Sequence, residues 1–91
     1  MAQERRVILF SGTVQGVGFR YTACRAASGH DVTGSVKNLH DGRVECVVEG
    51  ESAEIDAFLE DLRQRMRGYI QDESQQVLPH TGQFRGFGVG Y

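Results

Sequence analysis

The alternation of apolar and polar positions divides the chain into short strands and amphipathic helices. Val7-Ile8-Leu9-Phe10 lies in a period-two segment from about Arg6 to Ser11, with Ile8 and Phe10 on one side and Val7 and Leu9 on the other. The glycine-rich stretch Gly12-Thr13-Val14-Gln15-Gly16-Val17-Gly18-Phe19-Arg20 follows. Phe19, Ala23, Ala26, Ala27 and His30 then recur at helical spacing, which predicts a first helix from about Phe19 to Gly29 with a thin, alanine-rich apolar face. A second strand is predicted from Val32 to Asn38, a turn at Leu39-His40-Asp41-Gly42, and a third strand from Arg43 to Glu49, ended by Gly50. In that third strand Val44, Cys46 and Val48 oppose Arg43, Glu45 and Glu49.

Residues 52–67 carry the clearest helix, with Ile55, Phe58, Leu59, Leu62 and Met66 in one stripe. Ser52 is the expected N-cap and Gly68 the expected stop. Glu51 and Glu54 at the start, and Arg63, Arg65 and Arg67 at the end, match the macrodipole, and the charges are expected to form a solvated face. In the tail, a strand over Tyr69 to Leu78 leads through the turn Pro79-His80-Thr81-Gly82 to a last strand from Phe84, with Phe87, Val89 and Tyr91 on one face.

The order is β-α-β-β-α-β, with the fourth strand split or followed by a fifth. That predicts an α+β fold of ferredoxin-like type, a βαββαβ sandwich with two helices on one face of an antiparallel sheet. In this topology the first strand lies beside the third, the first and second strands run parallel, and their C-terminal ends share one edge. The glycine loop and Asn38 are therefore expected to converge.

Composition narrows the setting. Ninety-one residues, 40% apolar and 24% charged, suit one small folded domain spanning 1–91. A net charge of −2 disfavours nucleic acid as a partner. The N-terminal apolar run of four residues is too short for a signal core or a membrane span, and Cys24 and Cys46 lack metal-site spacing. A cytoplasmic monomer with free thiols, no cofactor, no metal and no membrane partner is the expectation.

The chemistry centres on the glycine loop. Strand, glycine loop and helix start together form a place where backbone N–H groups can cradle an anion. Arg20 stands at that helix start, where a cation opposes the macrodipole unless an anion lies between it and the backbone donors. Its planar guanidinium fits two phosphate or carboxylate oxygens at once. The structural alternative is a glycine turn without a ligand. Asn38, at the other converging end, can hold a water through its amide but cannot remove a proton, and the alternative for it is a bond to its own turn backbone. The site has no nucleophile beside a base, no carboxylate pair and no metal cluster. A phosphate monoester leaves as an alkoxide and needs such help. The carboxylate of an acyl phosphate, with a conjugate acid of pKa about 4 to 5, leaves unaided.

Those residues carry a resemblance. The stretch Gly12–Arg20, and Gly34-Ser35-Val36-Lys37-Asn38 followed by Gly42, Val44 and Gly50, resemble the two signatures of the acylphosphatase family, over nearly all of the chain. The resemblance implies metal-free hydrolysis of the carboxyl-phosphate bond to carboxylate and inorganic phosphate, with inorganic phosphate as product and inhibitor. It implies Arg20 as phosphate ligand, backbone N–H groups of Val14, Gln15, Gly16, Val17, Gly18 and Phe19 as the cradle, and Asn38 as the group that orients the attacking water. Ser35, where the family usually has an aromatic residue, and His30-Asp31, where Leu-Gly is usual, depart from the pattern without touching Arg20 or Asn38. A non-catalytic phosphate-binding or regulatory module of the same fold is the alternative. An RNA-binding module is disfavoured, because the open face of the third strand offers Arg43, Glu45, Val47 and Glu49 and no aromatic ring.

Overall fold

The computed structural model describes residues 2–90. The period-two segment forms β1, Gln3–Gly12, longer at its start than the apolar run suggests because its polar residues pair on both sides. There follow α1 (Phe19–Ala27), β2 (Val32–Asn38), β3 (Val44–Glu51), α2 (Ser52–Arg65), β4 (Ile70–Pro79) and β5 (Phe87–Val89). The sheet order is β4-β1-β3-β2-β5. Its first four strands pair antiparallel, and β5 adds to the β2 edge in parallel. β5 is the split-off end of the tail, and Tyr91 lies outside the described residues.

One core lies between the sheet and the two helices. Ile8 and Phe10 of β1, Val44, Cys46 and Val48 of β3, and the α2 stripe Ile55, Phe58, Leu59 and Leu62 with Met66 are all buried in it. Complete burial of each large side chain is worth about 1.5–3 kcal/mol, so the strict alternation along β1 and β3 holds their register firmly. Two aromatic contacts tie the outer elements to this core. Phe10 packs on Phe19 with ring centroids 5.1 Å apart, and Phe58 packs on Phe87 at 5.3 Å. The first fixes the start of α1, and the second fixes β5. The two cysteines are unpaired; Cys46 is buried and Cys24 half-buried.

Several polar residues do more than their local pattern suggests. Ser52 does not cap α2. The N-cap position is Glu51, without a side-chain cap, and the Ser52 hydroxyl instead accepts a hydrogen bond from Arg6 at 2.8 Å. Nor is the charged side of α2 purely solvated. Asp56 pairs with Arg6 at 2.7 Å, Asp61 lies 3.2 Å from His30, and Arg63 holds Glu73 of β4. A helix packed on a sheet brings its flanking charges within reach of its neighbours, and helical periodicity alone does not contain that proximity.

Glu49 is the largest departure. It sits on the open face of β3, yet its side chain is 0% exposed. The segment from Pro79 to Gly86 crosses from the β4 edge toward β5, and Glu49 anchors it. Its carboxylate accepts bonds from Arg5 Nε at 2.7 Å, Thr81 Oγ1 at 2.7 Å, Thr81 N at 3.0 Å and Gly82 N at 2.9 Å, with His80 Nε2 at 3.4 Å. His80, which has no partner apparent in the sequence, finds one here. Phe84 lies beneath the Arg5 guanidinium at 5.2 Å. Burial pushes the Glu49 carboxyl up, but the bonds from Arg5, Thr81 and Gly82 outweigh it and hold the pKa down at about 2.

A carboxyl held below its unfolded value stabilises the fold in full above that value, and the contribution fades as pH falls toward the folded value. For Glu49 the window runs from pH ~4.5 down to ~2, and the contribution is about 3 kcal/mol at neutral pH. Glu49→Gln, which keeps the shape without the charge, is expected to lose about 2–3 kcal/mol by urea denaturation at pH 7. The gap to the wild type should narrow markedly at pH 3. A gap that stays constant between the two pH values would assign the loss to packing rather than to charge.

Candidate active site

The site forms where β1 and β2 end. β1 passes through a register shift at Ser11/Gly12 into the glycine loop, and the loop runs straight into α1 at Phe19. Thr13 N donates to Tyr69 O at 2.9 Å, which anchors the loop's entry to the segment before β4. Val14 and Phe19 are buried, so the loop is pinned at both ends by side chains sunk in the core.

Between those pins the backbone alternates in hand. Gly16 and Gly18 both have φ 77°, whereas Val17 between them has a negative φ. A Cβ at either glycine would meet nothing within 4 Å, so backbone conformation rather than crowding requires glycine there. Alternation of this kind turns successive N–H groups toward one side as an anion-binding nest. Among the described residues, no backbone N–H from Val14 to Tyr21 finds an acceptor. The N-cap of α1 is Gly18, in the left-handed region, with no side-chain cap and no acidic residue in the first turn. Among the described residues the positive end of this helix has no negative partner in its own first turn.

Arg20 lies in that first turn, half-buried, and makes no ion pair among the described residues. Arg5, Arg6, Arg43, Arg63 and Arg65 all have carboxylate partners. Facing it, Asn38 is the exposed last residue of β2. Its side chain bonds to nothing among the described residues, and the turn is closed without it. Leu39 N donates to Arg43 O at 2.8 Å, and Asp41 accepts from Arg43 N at 3.1 Å. The Asp41 carboxyl is held below the usual carboxylate range by its bonds to the Arg43 backbone and side chain.

A groove of about 420 Å³ joins these parts. Of the residues singled out in the sequence, Val14, Gly16, Gly18, Phe19, Arg20 and Asn38 line it. Gln15 and Val17 do not. Val17 packs against the core, and the Gln15 side chain reaches across to the β2–β3 turn, where Nε2 donates to Leu39 O at 2.8 Å and Arg43 O at 2.9 Å. One amide therefore clamps the glycine loop to the turn that carries Asn38. Sequence reasoning missed this link, since neither carbonyl has a side-chain signal. It also missed Tyr21, Cys24 and Val89, which complete the groove wall. Val89 comes from β5, and only the parallel addition of β5 beside β2 places it there. His40, in the turn, is exposed, and Lys37 pairs with Glu45 at 3.7 Å. Among the described residues no three His, Cys, Asp or Glu side chains gather where they could hold a metal ion, and no helix is long and apolar enough to cross a membrane.

Known proteins share the sequence pattern and the fold of this chain. The family model described as Acylphosphatase matches residues 6–89. A curated protein named Acylphosphatase from Moorella thermoacetica is 45% identical over 86 residues, 94% of this chain and 89% of its own. One of the same name from Paenarthrobacter aurescens is 40% identical over 80 residues, 87% of this chain and 85% of its own. The crystal structure of acylphosphatase from Bacillus subtilis superposes with a TM-score of 0.85 at 32% identity, covering 98% of this chain and 99% of that one. With the family pattern matched over nearly its whole length and the fold shared with a solved member, the chain belongs to the acylphosphatase family.

Proposed function

We propose that this protein hydrolyses acyl phosphates without a metal ion, with Arg20 and the backbone N–H groups of the glycine loop holding the phosphate and Asn38 holding the attacking water. The observation that carries the reading is the run of N–H groups from Val14 to Tyr21, without acceptors among the described residues, gathered around an arginine without a carboxylate partner. Donors of this kind suit the three equatorial oxygens of a phosphoryl group, over which charge spreads in the transition state. The guanidinium bridges two of those oxygens. Water, held by the Asn38 amide, attacks phosphorus in line with the acyl oxygen. The P–O bond to the acyl group breaks and its electron pair leaves with the carboxylate. One proton of the water passes to a phosphate oxygen, giving dihydrogen phosphate, so no side chain has to titrate. We place the protein in the cytoplasm as a monomer, a setting that keeps Cys24 and Cys46 reduced.

The reaction class is tested directly. Purified protein should hydrolyse acetyl phosphate and benzoyl phosphate in excess EDTA and leave p-nitrophenyl phosphate nearly untouched. Loss of activity on chelation, or comparable monoesterase activity, would count against an unassisted leaving group. Tight phosphate binding without any turnover would leave a binding module in place of an enzyme.

Arg20→Lys keeps the charge and loses the planar fork. Its activity is expected to be nearly abolished, with inhibition by inorganic phosphate much weaker than in the wild type. A folded Arg20→Lys with normal phosphate inhibition would move the anion site elsewhere.

Asn38→Ala should separate binding from chemistry. A positioned hydrogen-bonding group that acts chiefly in the transition state is worth on the order of 10² to 10³ in rate. The expected outcome is a kcat lower by about that factor with phosphate affinity little changed. Because the turn closes through Leu39, Asp41 and Arg43, circular dichroism and the melting temperature should stay near wild type. A kcat within a few-fold of wild type would assign the water to another group.

A further inference from the structure

Resting on that reading, we propose that Gln15 is a positioning residue for the hydrolysis: its side-chain amide sets where Asn38 stands relative to the phosphate cradle, and so governs turnover rather than phosphate affinity. The cradle lies in the glycine loop and Asn38 at the end of β2, so the two parts of the site come from separate segments. In-line attack tolerates little error between them, and a misplacement of about 1 Å can cost on the order of 10²-fold in rate. The sheet brings the two segments to one end and leaves their separation to the loops. Val14 and Phe19 pin the glycine loop to the core, but Gly16 and Gly18 between them have open space where a side chain would be. The bond from Thr13 N to Tyr69 O ties the loop toward β4, on the side of β1 away from β2. With no side-chain bond of its own among the described residues, Asn38 stands wherever β2 and the turn place it.

Among the described residues, the two bonds that Gln15 Nε2 donates, to Leu39 O at 2.8 Å and Arg43 O at 2.9 Å, are the only hydrogen bonds between the glycine loop and the turn. Their placement is specific. Asn38 pairs in register with Val44. The amide therefore grips the chain one residue after Asn38 and one residue before its partner. Both amide hydrogens are used. Neither carbonyl depends on Gln15 for a donor, because Arg43 O also accepts from Leu39 N at 2.8 Å and Leu39 O from Gly42 N at 3.3 Å. The turn closes without the amide, so the bonds from Gln15 link the two loops rather than hold the turn together.

Gln15→Met keeps the length of the side chain and removes both donors. In this variant, folded by circular dichroism, kcat for benzoyl phosphate is expected to fall roughly 10- to 100-fold. KM and inhibition by inorganic phosphate should stay near the wild-type values, because the cradle and Arg20 are untouched. Gln15→Asn keeps the donors on a shorter stem and should lose kcat in the same way, which a role limited to hydrogen-bond count would not produce. In an Asn38→Ala background, Gln15→Met should cost at most about twofold more, since the group it positions is gone. A folded Gln15→Met with wild-type kcat would overturn the proposal. So would an equal loss in both backgrounds, or a loss of phosphate affinity that matches the loss of kcat. If the wild type hydrolyses no acyl phosphate, the enzymatic reading fails, and NMR relaxation dispersion still decides the link between the loops. Exchange at the backbone amides of Leu39 to Arg43 that appears only in Gln15→Met supports that link, and relaxation identical to the wild type overturns it.

Discussion

β3 runs between β1 and β2 and pairs antiparallel with both. β1 and β2, which never touch, therefore run parallel and finish at the same end of the sheet. The rest of the site depends on that constraint. It brings the glycine loop and the β2–β3 turn side by side, and the Gln15 amide then fixes their separation by donating to two turn carbonyls at once. Two hydrogen bonds from one amide across two loops define a distance more sharply than either loop's own turn geometry could. The pairing that defines the sheet thus also defines the groove.

The second constraint is electrostatic. Most arginines of the described chain lie beside carboxylates, and several of these pairs join separate elements. Arg20, like Arg25, Arg67 and Arg85, has no such partner among the described residues, and it lies at the positive end of a helix whose first turn has no acidic residue and whose N-cap has no side-chain bond. A cation at that position costs roughly 0.3–1 kcal/mol in an exposed helix, before the N–H groups without acceptors are considered. The proposed phosphate, as an anion over the helix start, would offset that local cost. The cost is tolerated because Phe19, next to Arg20, is locked against Phe10, and Val14 is sunk in the core on the other side of the loop.

The tail of the chain reaches the same site by a different route. Between β4 and β5 the backbone crosses to the far edge of the sheet, and Glu49 holds that crossing with an arginine, a hydroxyl and two backbone N–H groups. Phe87 then locks β5 against Phe58, and two residues later Val89 enters the groove wall. A buried carboxylate on the open face thus supports a wall of the groove through the strand it delivers. Its buried charge is tolerated because an arginine, a hydroxyl and two backbone N–H groups all donate to it.

By itself the sequence determined the order of elements and the faces they bury. Ile8 and Phe10, Val44, Cys46 and Val48, and the stripe from Ile55 to Met66 show their burial in their spacing, because strand and helix periods are local properties. It also marked Arg20 and Asn38 as candidates, and the resemblance to the family's two signatures implied the roles proposed for them. The tertiary structure decided what depends on contacts between distant residues. Gln15 as a clamp, Glu49 as an anchor, Arg6 as the partner of Ser52 and Val89 as a groove wall all join positions far apart in the chain. A polar residue's local pattern says only that it is polar. Whether it faces water, a carbonyl or a buried counter-charge is fixed when the sheet and its crossings bring particular partners within about 3 Å, and no periodicity records that distance.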